Sequence, residues 1–223
     1  GETNDSRLND IRAGRPTVDE IGAALAAAKT GAVEEGAVGA GTGTVAFGLK
    51  GGIGTSSRLV KAAGSVFTLG VLVQSNYGGR LTVCGRAYEA PAAHDRDGSI
   101  VIVVATDAPL SARNLRRLAE RAFGGLARTG AALSNGSGDY ALAFSTAASV
   151  RRTKARRAAI ADYPDLPNDL MSPLFEAAIE TTEEAILNSL TMACMTHGFN
   201  AANGKPSTVE AISLERLRAL NEH

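Results

Sequence analysis

A chain of 223 residues is long enough for one sizeable core, and 44% hydrophobic against 4% aromatic residues, with no Trp, means a core of Ala, Val, Leu and Ile. The 23 Lys and Arg balance 23 Asp and Glu, which argues against nucleic acid or a membrane surface as a partner, because both demand a basic excess or stripe. Cys84 and Cys194 give neither metal spacing nor a disulfide framework, and His94, His197 and His223 form no ligand pair. No metal, and so no metal hydrolase, is expected.

Both cysteines lie in apolar contexts and are expected to be buried small hydrophobes. The basic cluster from Arg151 to Arg157 has no interleaved aromatics and reads as a solvated face or subunit contact. No run reaches transmembrane length and no leader is visible. The chain opens on Gly1-Glu2 without Met, so a preceding segment is expected. The expected location is the cytoplasm, with the periplasm kept open for that reason.

In chain order, Glu2 to Asp10 is polar and reads as a loop. Thr17-Val18-Asp19-Glu20 is a capping box; it opens a helix to about Lys29 with Ile21, Ala24, Leu25 and Ala28 on one face. Residues 36–54 are dense in glycine. Gly41-Thr42-Gly43-Thr44-Val45-Ala46 fits a loose dinucleotide pattern, but that fingerprint must follow a strand and open a helix, whereas more glycines and Phe47 follow in a strand-like run, so close packing of strands and loops around a small pocket is the preferred reading.

Val66 to Gln74 reads as a strand, with Arg80 to Gly85 as its hairpin partner, followed by a polar stretch, Arg86 to Gly98, of the kind where chains are nicked. Ser99 to Ala105 has no polar alternation and reads as a strand covered on both faces. Asp107 and Pro109 announce a helix with Leu115, Leu118, Ala119, Ala122 and Leu126 inward. After a glycine-rich turn, Tyr140 to Phe144 alternates like a strand. Ser172-Pro173 opens a long helix to about Cys194, Ser172 capping it and Leu174, Ala178, Thr182, Ala185, Leu190 and Ala193 inward. Leu214 to Leu220 closes the chain. Strands interleaved with long helices predict a layered α/β domain with mixed sheets.

Asp97-Gly98-Ser99 is where chemistry is sought. A serine hydroxyl is inert at neutral pH without a base beside it. His94 is the nearest histidine in sequence, nothing orients it, and no G-x-S-x-G surrounds Ser99. If Ser99 became the first residue of a new chain, its own α-amine, of pKa about 7.7–8.0, could act as the base. Gly98 tolerates the backbone strain that attack of the Ser99 hydroxyl on its carbonyl requires. From this stretch alone, a turn feeding a structural strand remains the preferred reading.

Several longer strings decide the matter. Gly36-Ala37-Val38-Gly39-Ala40-Gly41-Thr42-Gly43, Lys50-Gly51-Gly52-Ile53-Gly54-Thr55-Ser56-Ser57-Arg58 and Gly70-Val71-Leu72-Val73-Gln74-Ser75-Asn76-Tyr77-Gly78-Gly79-Arg80 occur in order. Asp97-Gly98-Ser99, Ala105-Thr106-Asp107-Ala108-Pro109-Leu110, Ser134-Asn135-Gly136-Ser137-Gly138-Asp139-Tyr140 and Pro164-Asp165-Leu166-Pro167-Asn168-Asp169 follow. Together they resemble the DmpA/BapA-type aminopeptidases over nearly the whole chain.

That resemblance implies a self-processing serine hydrolase of the N-terminal-nucleophile type. It would release N-terminal residues from peptides, amides or esters, with no cofactor. It implies a four-layer αββα sandwich, two packed mixed sheets flanked by helices, in a single domain over residues 1–223. Cleavage between Gly98 and Ser99 would leave chains 1–98 and 99–223 together, in a homo-oligomer, a tetramer by resemblance. Ser99 would be the nucleophile and new N-terminus, Asn76 the oxyanion donor, and Ser137 and Asp139 the support of the Ser99 amine. Glu2 would receive the substrate's ammonium group, Asn4 would border the substrate pocket, and Lys50 would add positive charge. Asn4 stands where many members carry an aromatic. Each residue has a structural alternative: turns for Asn76, Ser137 and Asp139, a solvated terminus for Glu2, a surface charge for Lys50. The functional alternatives are an acyltransferase of the ornithine acetyltransferase type, whose nucleophile is a threonine, and a truncated, inactive structural protein.

Overall fold

Two apolar strings, around residues 66–73 and 100–105, become the two central strands of one sheet. The computed structural model describes residues 3–90 and 98–221. In chain order the elements are α1 (Val18–Ala26), β1 (Val45–Ala46), β2 (Leu49–Lys50), β3 (Gly52–Ala62), β4 (Ser65–Asn76), β5 (Thr82–Val83), β6 (Arg86–Ala87), β7 (Ser99–Thr106), α2 (Ala112–Arg128), β8 (Tyr140–Ser145), α3 (Lys154–Arg157), α4 (Ser172–Thr191), β9 (Thr196–Asn200), β10 (Lys205–Val209) and α5 (Leu214–Asn221).

The main sheet runs β3-β4-β7-β8. Its first two pairings are antiparallel and the last is parallel. The parallel step from β7 to β8 needs a crossover, and α2 supplies it. Three two-stranded ribbons, β1-β2, β5-β6 and β9-β10, accompany the sheet. The expected mixed α/β class, with several sheets and helices, is what these residues form.

One face of the sheet carries Val71 and Val73 of β4 beside Val104 and Ile102 of β7, all buried. Helices α2 and α4 pack on that face, with Leu118, Ala122 and Leu126 of α2 and Leu174, Ala178, Ala185, Ile186 and Leu190 of α4 inward. The approach of α4 to β3 is set by Gly54. A β-carbon there would overlap the carbonyl oxygen of Ala185 and lie 2.5 Å from the Ser189 nitrogen. Across the same layer Ser75 Oγ and Ser189 Oγ share a hydrogen bond of 2.7 Å. The other face is apolar and less covered: Val101 and Val103 are half-buried, and Leu142 is 63% exposed. Strand β7 is therefore fully covered on one face only, not on both.

Several expectations need correction. Strand β4 pairs with β3 and β7, while residues 82–83 pair with 86–87 in a small ribbon of their own. The hairpin partner of β4 is the preceding strand, reached through the tight Ala63-Gly64 turn, where both residues have positive φ. Strand β3 carries Thr55, Ser56, Ser57 and Arg58, and its polarity hid it in the sequence. The capping box at Thr17 forms as expected, but no residue of α1 is buried and Leu25 is 75% exposed.

Both cysteines are exposed: Cys84 turns between β5 and β6 at φ 51°, and Cys194 follows the end of α4. Helix α2 starts at Ala112, capped by Ser111, whose Oγ accepts the Asn114 N–H. Ser172 is the first residue of α4, not its cap; Met171 holds the N-cap position with no side-chain bond. The polar stretch expected before Ser99 lies, from Pro91 to Asp97, outside the described residues.

Substituting Gly54→Ala forces α4 off the sheet, because the obstructing atoms are helix backbone and cannot rotate away. An unfolding free energy lower by about 3 kcal/mol is expected in denaturant titrations.

Candidate active site

Alternation along a strand and pairing across a ladder together decide what faces Ser99. Asn76 is the cross-strand partner of Ser99 in the β4–β7 register, so their side chains share a face. That face is opposite the one carrying Ser75 and Ile100. A slip of one residue would bury Asn76 under α4 and turn Ser99 away from it. Ser99 is buried at the start of β7.

The Asn76 amide is oriented by its neighbours. Its Oδ1 accepts the Val45 N–H at 2.9 Å, and its Nδ2 donates to the Asn4 carbonyl at 3.0 Å. The nitrogen, with its second N–H, therefore faces the side where the N-terminal segment lies. That segment is held alongside β4 by Gln74, whose Nε2 donates to Thr3 Oγ1 and to the Ala40 carbonyl, both at 2.8 Å. Asn4 meets the site through its backbone; its Oδ1 accepts the Ser6 N–H at 3.0 Å. Glu2 lies outside the described residues, as does His94.

Parallel strand β8 brings the third element. The turn Ser137-Gly138-Asp139 precedes it, and Gly138 packs directly on Ser99: a β-carbon added at Gly138 would lie 3.7 Å from both Cβ and Oγ of Ser99. Ser137 Oγ donates to Asp139 Oδ2 at 2.8 Å. The other carboxylate oxygen, Oδ1, is buried and has no hydrogen-bond partner among the described residues. A buried carboxylate oxygen left unpaired calls for an explanation in function or strain.

Gly98 is squeezed from the opposite side. A β-carbon at this position would stand 2.5 Å from the Asn76 carbonyl oxygen and 2.5 Å from Tyr77 Cα, so the residue before Ser99 can carry no side chain. Beneath lies Tyr77, whose hydroxyl shares a hydrogen bond with Thr129 Oγ1 at 3.1 Å and whose pKa burial pushes well above the ordinary tyrosine value.

Lys50 is the least expected member. It is 0% exposed, which removes the surface-charge alternative. All three ammonium hydrogens are used: Nζ donates to the carbonyls of Gly41 and Gly51 at 2.7 Å and of Thr44 at 2.8 Å. Lys50 thus closes the glycine-rich loop 41–51 around itself, and that loop presents the Val45 N–H to Asn76. Its link to the site is through the loop. Burial lowers its pKa from 10.5 to about 8, with the charges of Cys194 and Asp5 opposing. The one signal of this burial in the sequence is a lone lysine inside a glycine-rich string.

Lys50→Met leaves three backbone carbonyls without their charged donor, and a loss of about 2–4 kcal/mol is expected on unfolding. The pH dependence carries a second signature. Between about 8 and 10.5 the unfolded chain keeps the Lys50 proton and the folded chain releases it. The group's contribution to stability therefore rises with pH across that window. Unfolding free energies of parent and Lys50→Met, measured along this range, should differ in slope, with the rise absent from the variant.

The chain is similar to known proteins. The model of peptidase family S58 matches residues 1–204. The β-peptidyl aminopeptidase BapA of Sphingosinicella microcystinivorans is 40% identical over 242 aligned residues, covering 98% of this chain and 59% of that protein. Among solved structures, the PH0078 protein of Pyrococcus horikoshii OT3 superposes with a TM-score of 0.85 at 42% identity, covering 98% of this chain and 60% of the other. The L-aminopeptidase D-Ala-esterase/amidase of Ochrobactrum anthropi, a variant of the Ntn hydrolase fold, superposes with a TM-score of 0.87 at 37% identity, again over 98% of this chain and 60% of the other. The chain thus spans about three fifths of the length of these relatives. On the family match, the relatives' identity and a shared fold, the chain belongs to peptidase family S58.

Proposed function

We propose that this chain forms the nucleophile-bearing part of a self-processing aminopeptidase, with Ser99 as nucleophile and, after cleavage of the Gly98–Ser99 bond, as N-terminal residue. The observation that carries the reading is the convergence of three features on Ser99. These are Asn76 across the ladder, the Ser137–Asp139 pair beside Ser99, and a Gly98 that admits no side chain.

In the uncut chain the Ser99 nitrogen is an amide and cannot act as a base. Once freed it is an amine with a pKa of about 7.7–8.0, suited to accept a proton near neutrality. The unpaired Asp139 Oδ1 is then explained. A new ammonium group beside the Ser137–Asp139 turn supplies the partner that the carboxylate lacks.

In turnover the Ser99 amine takes the hydroxyl proton and Oγ attacks the carbonyl carbon of the substrate's first residue. The oxyanion that develops is met by the free N–H of the Asn76 amide. Collapse expels the leaving amine or alcohol with the proton, and water hydrolyses the ester on Ser99. Glu2, one residue before the anchored Thr3, is the proposed carboxylate for the substrate's ammonium group. The names of the relatives bring β-peptides and D-alanyl esters and amides into the range to be assayed. A homo-oligomer is part of the same proposal.

Intact mass distinguishes the readings directly. The parent should yield two chains, the second beginning at Ser99, while Ser99→Ala should stay whole. A parent that remains uncut through prolonged incubation would sink the mechanism. Amino-acyl p-nitroanilides test the aminopeptidase character: blocking the α-amine should abolish hydrolysis, and equal rates on blocked and free substrates would remove Glu2 from the account.

A further inference from the structure

We infer that the backbone N–H of Gly138 is the oxyanion donor of the self-cleavage step, a role separate from that of Asn76 in turnover. The inference rests on the self-processing reading above and adds to it a residue and a step. Gly138 N–H donates to the carbonyl oxygen of Gly98 at 2.8 Å. That oxygen belongs to the bond to be cut. The contact extends the parallel β7–β8 ladder by one bond beyond its last paired residues, Val101 and Tyr140. A bond that elsewhere would only hold two strands together falls here on a reacting group.

The step balances within the chain and one water. Ser99 Oγ attacks the Gly98 carbonyl carbon, and negative charge moves onto the Gly98 oxygen. The C–N bond breaks, the hydroxyl proton ends on the Ser99 nitrogen, and an ester joins Gly98 to Ser99 Oγ. Water then hydrolyses that ester, giving the Gly98 carboxylate and a free Ser99 with both amine and hydroxyl. Throughout, the charge-bearing oxygen is the atom that Gly138 already holds at 2.8 Å in the uncut chain, and a preorganised donor aimed at developing charge is what such a step requires. In the uncut chain the Asn76 amide binds Val45 through Oδ1 and the Asn4 carbonyl through one N–H of Nδ2, whereas the Gly98 carbonyl is held by Gly138.

Geometry also makes the donor separable from the residue's bulk. At Gly138 a β-carbon would meet Ser99 and Tyr140 only at 3.7 Å, an ordinary contact. Gly98 has no such freedom. Gly138→Ala keeps the N–H, whereas Gly138→Pro removes it. A third variant replaces the Gly138 nitrogen by oxygen, through a glycolic-acid residue introduced by nonsense suppression, and perturbs the backbone least.

The full-length protein is synthesised in a cell-free pulse, and the appearance of the two chains is followed by mass, with thermal unfolding of the uncut species as a check of folding. Gly138→Ala should still split. Gly138→Pro and the ester variant should split about 10²–10³-fold more slowly than the parent. If the proline variant does not fold, the ester variant decides alone. A folded ester variant that splits at the parent rate overturns the inference and leaves the self-processing reading standing. A parent that never splits removes that reading itself.

Discussion

Everything at the candidate site follows from the pairing of β4 with β7. The register that sets Val71 against Val104 and Val73 against Ile102 fixes, at the far end of the same ladder, Asn76 against Ser99. Burial enforces it. These four side chains form the face under α2 and α4, and a slip of one residue would turn that whole apolar set outward. The hydrophobic core thereby positions two polar residues on the opposite face, with no need for a direct bond between them.

The same closeness of strands explains the glycines on either side. Gly98 lies against the backbone of Asn76 and Tyr77, and Gly54 against that of α4. In both places the neighbour is main chain, which cannot yield as a side chain can. Lys50 solves a different problem. A loop rich in glycine has few side chains to hold it, and a buried ammonium with three carbonyl ligands ties residues 41, 44 and 51 together. Its lowered pKa measures what burial costs the charge. The return is a loop stiff enough to hold the Asn76 amide by its oxygen.

Much of this was legible in the chain. The strings around Asn76, Ser99 and Ser137-Gly138-Asp139 pointed to residues that the fold brings together, and the apolar periodicities located β7, α2 and α4. The legible features share a cause: each depends on residues close in sequence, whether a capping box, a stripe at helical spacing or an apolar run. Strand β3 escaped because it is polar and glycine-rich, and its identity as a strand comes from its pairing with β4. The helix at Thr17 was read from local signals that are real, yet its apolar residues are exposed, since local signals fix a helix and say nothing of what covers it. Cys84 and Cys194 were misjudged for the same reason.

By itself, the sequence determined which residues have the chemistry: a serine after a glycine, an asparagine closing a strand, a serine and an aspartate two residues apart. Near Ser99 in sequence it offered His94 alone as an imidazole base, with no neighbour to orient it. Only the tertiary structure decided that Asn76 and Ser99 share a face, that Lys50 is buried among carbonyls, and that the amide of Gly138 meets the carbonyl of Gly98. The first and last depend on register between strands tens of residues apart, chosen by the packing of the sheet against its helices, and the second on how the loop 41–51 folds around one side chain.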